Sequence, residues 1–157
     1  MQSIANIGCG KLLMDGAINL DIRKLENIDV VGDIRYLPFI CMSFDIVYCS
    51  DVLEHLSIAE FPAGLSELCR ITRKDLFIKT PSMDVLIKLY NEGKIDNSGL
   101  TLSMYGAQTY VENYHKCIQF TDYITNAIIC NGFYINELSS DCIGNINVHA
   151  RRNEERC

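Results

Sequence analysis

Residues 3–22 read SIANIGCGKLLMDGAINLDI, and the punctuation of this stretch decides the fold. Two short apolar runs, Ser3 to Ile7 and Ala17 to Ile22, flank the glycine turn Gly8-Cys9-Gly10, as expected of buried strands bounded by turn residues. Between Gly10 and Ala17 lie the six residues 11–16, too few for a crossover helix. At about 3.3 Å per residue they still reach about 20 Å, enough to recross a short strand and start a second one parallel to the first. A compact loop in place of a helix is therefore expected at the first crossover.

Working outward, Ile28 to Val31 and Phe44 to Cys49 repeat the pattern of short Ile- and Val-rich runs bounded by Gly, Asp or Asn. Ser57 and Glu60 have capping-box spacing ahead of Leu65, Leu68 and Cys69, which recur at helical intervals. Asp75 to Thr80 reads as a fifth strand. Ser82 is placed to cap a helix through Leu86, Leu89 and Tyr90 that stops at Gly93, and Thr121 one through Ile124, Ala127 and Ile128 that stops at Gly132. Phe133 to Leu138 and Asn145 to Ala150, joined by the turn Ser139 to Gly144, can pair only antiparallel. Residues 94–120 have no periodicity that fixes their shape. The alternation defines an α/β fold: a Rossmann-like, mostly parallel sheet with helices on both faces and a C-terminal antiparallel hairpin, in a single domain over residues 1–157.

Composition sets limits on function. With 48% hydrophobic and 22% charged residues the chain is of the globular type, and no apolar run approaches the roughly 20 residues of a membrane span. The N-terminus lacks the basic and apolar regions of a secretory signal, so a cytoplasmic protein is expected, with no membrane partner. The 8 cysteines (Cys9, Cys41, Cys49, Cys69, Cys117, Cys130, Cys142 and Cys157) include no Cys-x-x-Cys pair, and the 3 histidines are scattered; buried free thiols and no metal site are expected. A net charge of -6 provides no overall attraction for a polyanion, so no nucleic-acid partner is expected. The two basic clusters, Arg70, Arg73 and Lys74, then Arg151, Arg152 and Arg156, read as solvated charge.

The strand ends carry the chemistry. In Asn6-Ile7-Gly8-Cys9-Gly10 the absence of β-carbons lets backbone N–H groups approach a ligand, but Leu13 stands where a dinucleotide fingerprint needs its third glycine, which disfavours NAD and FAD. The second strand delivers Asp21, able to accept from both ribose hydroxyls, and the third delivers Asp33, able to accept from an adenine amino group, with Leu37-Pro38-Phe39 supplying apolar cover. Either aspartate has an alternative use as a turn cap.

The segments NIGCG, GAINLDI, GDIRYLPF, SFDIVYCSDVLEHL, LCRI and YGAQ with HK together resemble the class I S-adenosylmethionine-dependent methyltransferases, in particular the short methyltransferase type 11 group, across most of residues 4–133. The resemblance implies S-adenosylmethionine as cofactor, with Gly8, Cys9 and Gly10 at its methionine part, Asp21 and Ile22 at the ribose, Asp33 and Ile34 at the adenine, and Cys49 and Ser50 beside the sulfonium. The sequence departs from the family at Asn6, where many relatives carry an acid, and at ITRKD, which replaces a Pro-Gly-Gly turn before strand five. For an acceptor that must lose a proton, His115 is the first candidate base and His55 the second, with Tyr105 and Tyr110 as orienting groups. His55 also reads as a packing or capping residue at a helix start. The implied function is methyl transfer to a small-metabolite or glycan-type acceptor; the alternative is a non-catalytic S-adenosylmethionine-binding module partnering a larger enzyme, with an NAD enzyme third.

Overall fold

The computed structural model describes residues 2–153; Arg156 and Cys157 lie outside the described residues. Seven strands form one sheet in the order β3-β2-β1-β4-β5-β7-β6, made from β1 (Ile4–Ile7), β2 (Ile18–Asp21), β3 (Val30–Val31), β4 (Phe44–Ser50), β5 (Thr72–Pro81), β6 (Phe133–Ser140) and β7 (Asn145–Arg152). The first five run parallel, while β7 pairs antiparallel with both β5 and β6. Strand order reverses between β1 and β4, and open α/β sheets bind their ligands beyond the carboxyl ends of the strands at such a switch.

Asn6 explains how residues 8–17 recross the sheet without a helix. Its side-chain amide donates to the Leu12 carbonyl (2.9 Å) and to Asn19 Oδ1 (3.0 Å), and the same Asn19 oxygen accepts from the Met14 N–H. Two asparagines thus pin the loop against β1 and β2. The third strand is shorter than the apolar run suggests: Asp29 donates its N–H to the Asn19 carbonyl (3.0 Å), but its carboxylate, in place of a backbone carbonyl, accepts from the Asn19 N–H (2.8 Å).

Helices α1 (Phe61–Ile71), α2 (Met83–Asn91), α3 (Asn97–Tyr105) and α4 (Thr121–Cys130) follow in order. Glu60 Oε2 accepts from the Ser57 N–H at 2.9 Å, half of the anticipated capping box, and Pro62 occupies the first turn of α1. ITRKD is no surface turn: Thr72 ends α1 and begins β5 in the same residue, its hydroxyl donating to the Leu68 carbonyl. Arg73 and Lys74 both pair with Asp45, and Arg70 with Glu67, so every member of the first basic cluster has a partner within the chain. Ser82 sits at the α2 N-cap, but its hydroxyl donates to Asp84 Oδ1 instead of capping. Thr121 is the first helical residue of α4 rather than its cap, and its N–H and hydroxyl also go to Asp84. One carboxylate therefore ties α2 to α4. Helix α3 buries no side chain and has no apolar stripe; Asp96 starts it by accepting from the Gly99 N–H, which is why periodicity in residues 94–120 did not reveal it.

Ala5, Ile7, Leu20, Val47, Leu76, Ile78, Val148 and Ala150 of the sheet pack with Phe61, Leu65 and Leu68 of α1 and Ile124 and Ile128 of α4 into one core. The other sheet face carries Tyr48, Phe77 and His149 in a stacked row, with centroids 4.8 and 4.3 Å apart. Since Ile128 is completely buried, Ile128→Val should cost about 0.5–1.5 kcal/mol, read as a lower urea midpoint with unchanged slope.

Candidate functional site

A cavity of about 1070 Å³ opens beyond the carboxyl ends of β1, β2 and β4, at the switch point. Gly8, Cys9, Gly10, Asp21, Ile22, Asp33, Ile34, Ser50, His55 and His115 all line it, so the topology brings together most of the residues singled out in the sequence. Cys49 and Tyr105 do not. Strand alternation turns the Cys49 side chain into the core, where burial pushes its thiol pKa well up; Tyr105 lies at the end of α3, 54% exposed, and reaches the site through its backbone.

The glycine turn is built by close approach. Gly8 has φ +73°, and its N–H and that of Cys9 both donate to the Leu20 carbonyl (2.7 and 3.0 Å), folding the turn back onto β2. A β-carbon at Gly8 would lie 2.1 Å from Val52 Cγ2. Val52, from the loop after β4, therefore closes over the turn.

The two aspartates are held alike. Asp21 Oδ2 accepts from the Gly10 N–H (2.8 Å), and its Oδ1 accepts from both the N–H and Nε of Arg23 (2.9 and 3.0 Å). Burial works to raise the Asp21 pKa, but these Arg23 and Gly10 hydrogen bonds outweigh it and hold the carboxyl below its usual range. Asp33 Oδ1 accepts from the N–H and Nε of Arg35 (both 2.9 Å) and caps the short 3-10 turn Ile34–Tyr36; Arg35 also pairs with Glu60. The tripeptide Asp-Ile-Arg occurs twice, at 21–23 and 33–35, and in both the aspartate Oδ1 accepts from the N–H and Nε of the arginine two residues on. Reading each aspartate alone missed its arginine. Arg23 in turn lies over the Tyr110 ring at 4.7 Å, drawing the 106–116 segment to the cofactor end of the cavity.

The cavity is also lined by Glu54, a group that the sequence does not single out. Glu54, in the 3-10 turn Leu53–His55, is 1% exposed, and its Oε2 accepts from Thr80 Oγ1 at 3.0 Å. Burial pushes its carboxyl up to about 8. The Glu54 carbonyl accepts from the N–H groups of Lys116 (2.8 Å) and Cys117 (3.2 Å), clamping the second segment beside the first. His55 and His115 meet edge to face across this clamp, centroids 5.1 Å apart. His55 Nδ1 donates to the Tyr114 carbonyl (3.1 Å) and His115 Nδ1 to the Ser103 carbonyl (2.7 Å), while burial lowers the His55 pKa. A nitrogen that faces a carbonyl must carry the proton, which leaves each neutral ring its Nε2 lone pair. The Tyr105 carbonyl accepts from the His115 N–H, and Gly106, φ +73°, lets the chain pass, since a β-carbon there would lie 2.4 Å from the Asn113 carbonyl oxygen.

A mostly parallel sheet with a reversed seventh strand and a glycine turn at its switch point is the class I S-adenosylmethionine-dependent methyltransferase fold. A family model described as a methyltransferase domain matches residues 13–78, and that domain implies S-adenosylmethionine as the cofactor. The chain is similar to an uncharacterized protein of Methanocaldococcus jannaschii, 29% identical over 114 residues that cover 69% of this chain and 49% of the relative; the chain thus spans about half the length of the curated relative it matches. Its fold is similar to that of an S-adenosylmethionine-dependent methyltransferase from Methanosarcina mazei, with a TM-score of 0.64 and 14% identity, covering 96% of this chain and 92% of that one. It is also similar to magnesium protoporphyrin IX methyltransferase from Synechocystis with bound S-adenosylhomocysteine, with a TM-score of 0.60 and 17% identity, covering 97% and 74%. Among the described residues no helix is long and apolar enough to cross a membrane.

Proposed function

We propose that the chain transfers the methyl group of S-adenosylmethionine to a small-metabolite or glycan-type acceptor. One observation carries this reading: a single cavity is lined both by the glycine turn and Asp21 and by the paired imidazoles of His55 and His115. The cofactor's sulfonium is already an activated electrophile, so the protein has to align the acceptor, exclude water and take up a proton where the acceptor must lose one.

Gly8, Cys9 and Gly10 hold the methionine part, Asp21 and Ile22 the ribose, and Asp33 and Ile34 the adenine, each aspartate exchanging part of its arginine contact for the ligand. Ser50 stands between the cofactor and the acceptor. His55 and His115 activate the acceptor through their Nε2 lone pairs, and Tyr110 closes the space between the ends. The seven free thiols among the described cysteines fit a reducing compartment such as the cytoplasm.

Calorimetry should give one S-adenosylhomocysteine site per chain, with NAD failing to compete, and S-adenosylhomocysteine should be released when small polar metabolites are supplied with the cofactor. Absence of cofactor binding removes the reading. Tight binding without turnover across all acceptors points to a non-catalytic module.

A further inference from the structure

Glu54, His55 and His115 each place one ligand-type atom so that all three atoms lie within 4.8 Å of one another. Among the described residues no hydrogen bond joins the three side chains. Carbonyls of Tyr114 and Ser103 engage Nδ1 of the two imidazoles, which leaves Nε2 of each ring as the nitrogen able to act as a ligand. Three ligand-type groups thus converge without bonding one another, an arrangement that a cation would bridge on displacing the Glu54 proton.

We propose that Glu54, His55 and His115 form a divalent transition-metal site of the zinc type at the acceptor end of the cavity. Two imidazole nitrogens and one carboxylate are the ligand set of catalytic zinc centres, which leave a coordination position open. Here that position faces the cavity, because all three residues line it. The supporting contacts match those expected around a metal: each histidine donates its other ring nitrogen to a backbone carbonyl, and the carboxylate is oriented by Thr80. The backbone clamp from Glu54 to Lys116 and Cys117 fixes the separation of the two ligand-bearing segments, so small side-chain rotations close the set onto an ion. A carboxylate and two imidazoles suit zinc, cobalt or ferrous ions better than magnesium or calcium, which prefer all-oxygen shells. The open position would take an oxygen donor of the acceptor, and the ion, in place of the free imidazoles, would then activate it. In this way the inference deepens the methyltransferase reading and rests on it only for the identity of that donor.

The test is a titration of chelator-treated full chain with Co²⁺ alone, without cofactor. Exposed thiols are removed as competitors by Cys41→Ser, Cys130→Ser and Cys142→Ser, with Cys157→Ser added. One Co²⁺ per chain is expected, with visible d–d bands and no sulfur charge-transfer band, and Zn²⁺ should displace it. His55→Ala and His115→Ala should each weaken binding at least tenfold, and Thr80→Val should weaken it about tenfold by releasing Glu54, while circular dichroism shows the variants folded. Gly106→Ala, which pushes on His115 without deleting a ligand, should also weaken it. Lack of stoichiometric binding, or binding that survives both histidine substitutions, overturns the site. Because the titration needs no S-adenosylmethionine, its failure beside intact cofactor binding removes the metal site alone, and ion binding without cofactor binding removes only the methyltransferase reading.

Discussion

Gly8→Ala is expected to lower stability by about 2–5 kcal/mol and to abolish measurable S-adenosylmethionine binding. Two costs add. A left-handed backbone costs a residue with a β-carbon about 1–2 kcal/mol, and overpacking against Val52 costs about 1–3 kcal/mol more, because the new methyl would stand 2.1 Å from Val52 Cγ2. For a domain of this size the loss corresponds to a fall in Tm of roughly 5–15 °C. Two controls separate the terms. Gly16→Ala, at φ +76° with nothing within 4 Å of the added carbon, should show only the smaller backbone cost. Adding Val52→Ala to Gly8→Ala should recover the packing cost and leave the backbone cost. If Gly8→Ala melts and binds like the parent, the turn is not the tight closure described.

Asp21→Ala should weaken cofactor binding by about 1–3 kcal/mol, the worth of charge-assisted hydrogen bonds to a ribose, and should also destabilise the unliganded chain. The second effect follows because Asp21, 4% exposed, already accepts from Gly10 and Arg23. Its loss leaves the Gly10 N–H without an acceptor and frees Arg23, at about 1–3 kcal/mol. Acid sensitivity has a definite sign. The folded Asp21 pKa lies below its unfolded value of about 3.9, so its contribution is fully present above that value and disappears as the pH falls through the folded pKa. Melting curves recorded from pH 7 down to pH 2 should show the parent losing more stability than Asp21→Ala below about pH 4. Parallel acid profiles, or an unchanged dissociation constant, would remove Asp21 from both roles.

Much of the frame was legible because it is local. Short Ile- and Val-rich runs ending in Gly or Asp marked β1, β2 and β4, and the short turn before Asn145 fixed the antiparallel partner of β6. The six residues between Gly10 and Ala17 implied a crossover without a helix, and Asn6 and Asn19 show how it is held. Illegible were the elements that depend on partners far along the chain. Helix α3 has no apolar stripe to announce it, and nothing local marks Glu54, whose buried carboxyl meets Thr80, 26 positions away. The sequence offers Asp33 both as a ligand residue and as a turn cap, and it caps the following turn, while its pairing with Arg35 is not announced by the spacing. Cys49 was misplaced by one step of strand alternation: Ser50 faces the cavity and Cys49 the core. Tyr105 was grouped with the histidines by sequence proximity, and it supports His115 through a carbonyl rather than a ring.

The position of β7 between β5 and β6 has a consequence for how the molecule comes to exist. Asp75 pairs with Arg151 and Pro81 with Asn145, so the edge of a strand made midway through synthesis is covered only by residues made some 64 to 76 positions later. Closing loops of that length is the slow, entropically costly step, whereas β1, β2 and β4 lie within reach of one another early. A nascent chain halted before Asn145 would hold the glycine turn and both Asp-Ile-Arg segments yet leave β5, paired with β4 on one side, as an open sheet edge on the other, the form most open to chaperones and to pairing with its own kind.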